Sequence, residues 1–164
     1  MRYGQSSLSA AVLGAIIALA GLSAAAAQTS ITDADRRAVA EMALQWAVAG
    51  GISDFKLVKD PSTLIVADAN LPKNTQLTLS GHKVEMLSLL RIQARADLDG
   101  TDFLYFRFGK FTVKDGRVSV PIALVWAIAA KSTTQYLSGG GATLEFEKHD
   151  DKWQLLPVTN RWMS

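Results

Sequence analysis

The chain has no cysteine. That excludes a disulfide framework, thiol catalysis and lipid attachment through a cysteine behind a leader. It has two histidines, His82 and His149, in separate segments with no metal-ligand spacing beside either, so no zinc or iron site is expected. No long Lys/Arg run exists, and 17 basic residues stand against 15 acidic ones. Nucleic acid is therefore not an expected partner, because binding phosphate backbones needs clustered cations. The glycines at 139–141 lack the GxGxxG and GK[ST] spacings of phosphate-binding loops, and a strand pattern rather than a helix follows them. GxSxG is absent, so no nucleophile elbow is present. Asp97, Asp99 and Asp102 cluster without the spacing of a calcium loop and read as helix-end and turn acids. No catalytic residue, cofactor or metal is assigned on these grounds.

The N-terminus has the form of an export signal. Arg2 precedes an apolar run over 8–22, and Ala25, Ala26 and Ala27 supply small residues for cleavage. The run is shorter than the about 20 residues of a membrane span. Cleavage near Ala27 is expected, with no stable membrane insertion afterwards and one domain over 28–164. Removing Arg2 with the leader leaves the mature chain close to neutral. Export without disulfides fits a bacterial periplasm or secretion from a bacterium.

Thr32 is a good N-cap, with Asp33 and Asp35 in the first turn and Val39, Met42, Ala43 and Trp46 at helical spacing. Gly50-Gly51 stops this helix. Residues 63–67 read as a strand, 75–79 and 82–87 as an alternating pair joined by Ser80-Gly81, and 89–98 as a short helix between Ser88 and Gly100. Arg91 and Arg95 make a small positive patch on it.

The strongest pattern is the β-meander over 103–162. Asp115-Gly116 predicts a two-residue type I′ turn that sets Val113 against Val118. Phe111 and Val113 have odd numbers, whereas Leu104, Phe106 and Phe108 have even ones, so a β-bulge is expected near Gly109. One face then carries Leu104, Phe106, Phe108, Phe111, Val113, Val118, Val120, Ile122, Leu124, Trp126 and Ile128, a core face. The other carries Phe103, Tyr105, Arg107, Ala123, Val125 and Ala127. It is too apolar for plain solvent contact and calls for a second layer, a partner or a ligand. Residues 131–141 form a long loop containing Tyr136. Asp150-Asp151 turns the chain, and Pro157 places the last strand at an edge.

The segment Gly-Gly-Ala-Thr-Leu-Glu-Phe-Glu-Lys-His-Asp-Asp-Lys-Trp-Gln-Leu, 140–155, resembles the final hairpin of cystatin-like and NTF2-like domains. The chain is also similar to small exported bacterial proteins. The resemblance implies an α+β fold with the N-terminal helix packed on a bent antiparallel sheet ending in a four-strand meander. It carries over no catalytic residue, since members include enzymes, dimer modules and ligand binders.

The function expected is a non-catalytic binding or interaction domain of the cell envelope, taking a protein partner or a small apolar ligand through Phe103, Tyr105, Arg107, Val125 and Tyr136. The alternatives are a small acid–base enzyme of isomerase or hydrolase type, with Tyr105, Arg107 and Tyr136 converging on Asp102 or His82, and a structural homodimer subunit. Tyr105, on the outward face, is expected to be dispensable for folding. Leu104→Ala is predicted to destabilise by about 2–5 kcal/mol; an unchanged denaturation midpoint would refute the face assignment.

Overall fold

The computed structural model describes residues 30–136 and 139–163. The expected leader and its cleavage point, with Leu137 and Ser138 of the long loop, lie outside the described residues. Helix α1, Asp33–Trp46, starts where expected: the Asp35 N–H donates to Thr32 Oγ1 at 3.1 Å. It buries Val39, Ala40, Ala43 and Leu44, while Met42 and Trp46 are half-buried. A wider turn over Ala47–Gly51 and a tight one over Ser53–Leu57 follow.

The strands are β1 Thr63–Ala67, β2 Lys83–Leu87, β3 Phe103–Phe108, β4 Thr112–Lys114, β5 Arg117–Ala127, β6 Gly140–His149, β7 Lys152–Leu155 and β8 Asn160–Met163. They form one curled eight-stranded sheet, ordered β2-β1-β3-β5-β6-β7, with β4 also on β5 and β8 also on β6. Helix α2, Leu89–Asp99, completes an α+β fold with two α-helices among the described residues.

The sheet is mixed, which corrects the antiparallel expectation. β1 runs parallel to β2 on one side and to β3 on the other. The expected pairing of 75–79 with 82–87 shrinks to one Leu79–His82 bridge, and 83–87 pairs with β1 instead. The physical reason is the connection. β2 and β3 flank β1 in one direction, so the chain between them must cross over, and α2 is that crossover. The remaining ladders, among β3 to β8, are antiparallel.

The register of the hairpin follows the turn. Asp115 and Gly116 have φ of 50° and 77°, and Val113 pairs with Val118. Phe108 pairs with Ile122 but Thr112 with Ser119, so the first side holds one extra residue. This is the bulge expected near Gly109. Its partner is Pro121, whose carbonyl accepts from the Gly109 N–H at 2.8 Å. In an antiparallel strand a residue's N and O point to the same neighbour, so the missing N–H of Pro121 faces the bulge. A Cβ on Gly109 would lie 2.8 Å from Pro121 Cγ, which only glycine avoids.

The even–odd split of the hairpin places Leu104, Phe106, Phe108, Val118, Val120, Ile122 and Leu124 in the main core with α1. Ile128 departs from it, being 42 % exposed just beyond the end of β5. The opposite face is covered over part of its area by α2: Tyr105 and Ala127 are buried with Ile92 and Ala96, and Phe103 and Val125 pack beside them. Tyr105 is only 8 % exposed, so the expectation that it stands on an open surface is corrected. Truncating it is now predicted to cost about 3 kcal/mol, by analogy with buried aromatic deletions. A denaturation midpoint for Tyr105→Ala equal to that of the wild type would contradict this packing.

Candidate functional site

A row of residues in register crosses four strands on the outward face. Arg107 of β3 pairs with Ala123 of β5, Ala123 with Gly141 of β6, and Gly141 with Trp162 of β8. Ala123 and Gly141 thus lie between the backbone positions of an arginine and a tryptophan, about 14 Å apart at the usual strand spacing, and Gly141 is buried with the Trp162 indole over it. The result is a groove of about 630 Å³, walled by Arg107, Val125, Trp126, Ile128, Tyr136 and Trp162. Trp162 is 37 % exposed. Arg107 is exposed and has no carboxylate within ion-pair distance among the described residues.

One wall is built by Asp102, which sits just before β3 and is nine-tenths buried. Its carboxylate accepts from the Ala129 N–H at 2.7 Å, the Ser132 hydroxyl at 2.6 Å and the Tyr136 hydroxyl at 2.8 Å. Asp97, from α2, adds a clamp by accepting from the Ala130 N–H at 2.7 Å. Tyr136 is thereby laid flat on Trp126, with ring centroids 3.8 Å apart and planes 16° off parallel. The long loop is therefore fastened at 129–136 to the start of β3 and the end of α2.

These contacts set the protonation states. The Ser132 hydroxyl first, then the Ala129 N–H, hold the Asp102 carboxyl below its ordinary value against the opposing effect of burial, and Tyr136 and the charge of Lys59 add to this. The hydrogen bond to Asp102, with burial and the same negative charge, pushes the Tyr136 phenol above its ordinary value. Asp102 is thus a charged acceptor of three hydrogen bonds, and Tyr136 a neutral donor.

The five residues singled out from sequence fall in three places. Arg107, Val125 and Tyr136 meet in the groove. Tyr105 lies under α2. Phe103 lines a separate cavity beside Thr63 and Leu104. Of the groups grouped with them as an acid–base set, Tyr136 and Asp102 come together. His82 does not join them: its Nδ1 lies 2.6 Å from the Pro61 carbonyl, and its ring meets Phe55 edge-on. Arg95 of the expected positive patch is neutralised by Glu85 at 2.9 Å and Asp99 at 3.8 Å.

Sequence reasoning missed Trp126 and Trp162 as groove walls and Asp102 as the loop anchor. The overlong loop beside an acidic cluster was the available signal for the anchor. Nothing local marked the pairing of Gly141 with Trp162. Among the described residues, no group of three or more His, Cys, Asp or Glu side chains is placed to hold a metal ion. No described helix is long and apolar enough to cross a membrane.

The site thus belongs to an α+β protein with a curled mixed sheet, carrying a groove on the sheet face beside α2. No protein-family model, curated protein or solved structure matches the chain.

The Asp102 contacts predict a pH and mutational signature. A carboxylate whose folded pKa is depressed contributes fully above its unfolded value, 3.8 here, and the contribution fades as pH falls through the lower folded value. Loop anchoring is therefore expected to persist at neutral pH and to be lost only in strong acid. Asp102→Ala is predicted to speed hydrogen exchange at the Ala129 amide while the Ala130 amide, held by Asp97, stays protected. Equal exchange at Ala129 in both proteins would rule out the anchor.

Proposed function

We propose that the protein is a non-catalytic interaction module, and that its groove takes a segment of a partner protein carrying an acidic residue beside an apolar one. The observation that carries this is the register row Arg107–Ala123–Gly141–Trp162. It places on one side of Ala123 a guanidinium with no ion-pair partner among the described residues, and on the other the part-exposed Trp162 indole lying over buried Gly141. Arginine, tryptophan and tyrosine are the residue types that dominate binding energy at protein interfaces. Their positions on paired strands, with Tyr136 fixed by Asp102, reduce the ordering cost of association. Among the described residues the groove walls carry no acidic side chain to repel a carboxylate on the partner. A location in the bacterial envelope or outside the cell is part of the same proposal, supported by the leader-like N-terminal sequence. A cystatin-like or NTF2-like relationship also belongs to it, supported by a helix packed on a curled sheet.

The acid–base alternative is less favoured by the site's chemistry. A general base must have a lone pair available near neutral pH. Asp102 already accepts three hydrogen bonds and is held in its weakly basic form. The arrangement suits holding a loop in place.

Selection of peptides from a random display library on the purified protein tests the reading. Enriched peptides are expected to share an Asp or Glu next to an apolar or aromatic residue. Arg107→Ala is predicted to weaken them about tenfold or more, the scale of one charged hydrogen bond, with Tm unchanged. Peptides lacking an acid, or binding equally to Arg107→Ala and Trp162→Ala, would overturn the proposal.

A further inference from the structure

The groove does not end at Trp162. A hollow of about 310 Å³ lies on the other side of that indole, and the two share Gly140 and Trp162 as lining. Residues 50–53, from the turn after α1, wall it on one side, and Arg161 and Met163 of β8 on the other. Because β8 pairs only with β6, it is an edge strand. A bound chain can therefore pass from the groove face, to which Trp162 points, round to the α1 side, to which Arg161 points.

Local sequence explains how Arg161 comes to stand at this rim. Gly50, at φ 99°, ends the helical course of the chain. Gly51 follows, and a Cβ on it would run into the Trp46 ring, so that ring packs against bare backbone. The Arg161 guanidinium stands over the same ring, 5.3 Å from its centroid. Such a contact orients the guanidinium without neutralising it. Arg161 is exposed and has no carboxylate within ion-pair distance among the described residues.

The charge balance is the same on both sides of Trp162. Among the described residues, Arg107 is the one charged side chain lining the groove and Arg161 the one lining the hollow. Asp54 comes close to Gly140, its Oδ2 3.6 Å from where a Cβ would sit, but it is buried and outside the lining. Two cations thus flank one part-exposed indole, with no acid in either wall.

Granted that the groove is the partner site, we infer that the bound segment continues past Trp162 and carries a second acidic residue, paired with Arg161. The backbones of Arg107 and Trp162 are about 14 Å apart, and Arg161 is the neighbour of Trp162 on β8. An extended chain covers that path, with its turn over the rim, in about four to six residues. The partner's two acids are therefore about four to six positions apart, with the apolar residue between them.

Titration of the full mature chain with synthetic peptides tests this. Each peptide, blocked at both ends, reads Asp-Phe, then two, three or four Gly or Ser residues, then a second Asp; companions carry Asn in place of either Asp. At the best spacing, the second Asp→Asn change is expected to weaken binding about fivefold, the scale of a well-formed exposed ion pair. In Arg161→Gln that change should have no effect, while the first Asp→Asn change should still weaken binding. Arg161→Lys, which keeps a charge over Trp46, should restore sensitivity to the second Asp, a result that a purely structural role for Arg161 would not give. Equal binding of the second Asp and its Asn version at every spacing would overturn the inference, as would full discrimination between them in Arg161→Gln; the groove reading would survive either result if Arg107→Ala still weakened every peptide. No binding at all, or no effect of Arg107→Ala, would overturn both.

Discussion

The arrangement of both faces depends on one missing hydrogen bond. β5 is the spine of the sheet, with β3 and β4 on one side and β6 on the other. A central strand normally excludes proline, because every N–H is needed for a ladder. Pro121 sits in the middle of β5 and is tolerated because the bulge at Gly109 leaves nothing opposite that requires its N–H. The same extra residue restores the alternation that sends Phe106, Phe108 and Phe111 into one core. Without it, one arm of the hairpin would turn its aromatic side chains to the wrong side.

The second constraint is the crossover. Because β2 and β3 both lie parallel to β1, the segment between them must pass over the sheet, and α2 fills that passage. Burial of Tyr105 and Ala127 under Ile92 and Ala96 follows from it. So does the site, since the end of α2 and the start of β3 bring Asp97 and Asp102 to the long loop. The outward face is thereby divided into a part covered by the chain's own helix and a part left as the groove.

Polarity in this region follows a consistent logic. Asp102 beside the groove is engaged by internal donors, whereas Arg107 has no carboxylate within ion-pair distance among the described residues. The described lining of the groove holds Arg107 and no carboxylate, and the aromatic plate of Trp126 and Tyr136 stands beside it.

Local chemistry is what the residues alone could reveal. Thr32 and Ser88 cap their helices, Asp115-Gly116 turns the hairpin, and side-chain parity demands a bulge at Gly109; each of these depends on neighbours a few positions away. Pairing across distance was not legible. Whether 83–87 lies parallel to β1 or folds back on 75–79 is decided by which strand edge is free, and alternation looks the same in both cases. Tyr105 and Arg107 likewise share a face and a strand, but only the position of α2 makes one a core residue and leaves the other open. The groove itself joins residues from β3, β5, β6 and β8, so its walls exist only once those ladders have closed.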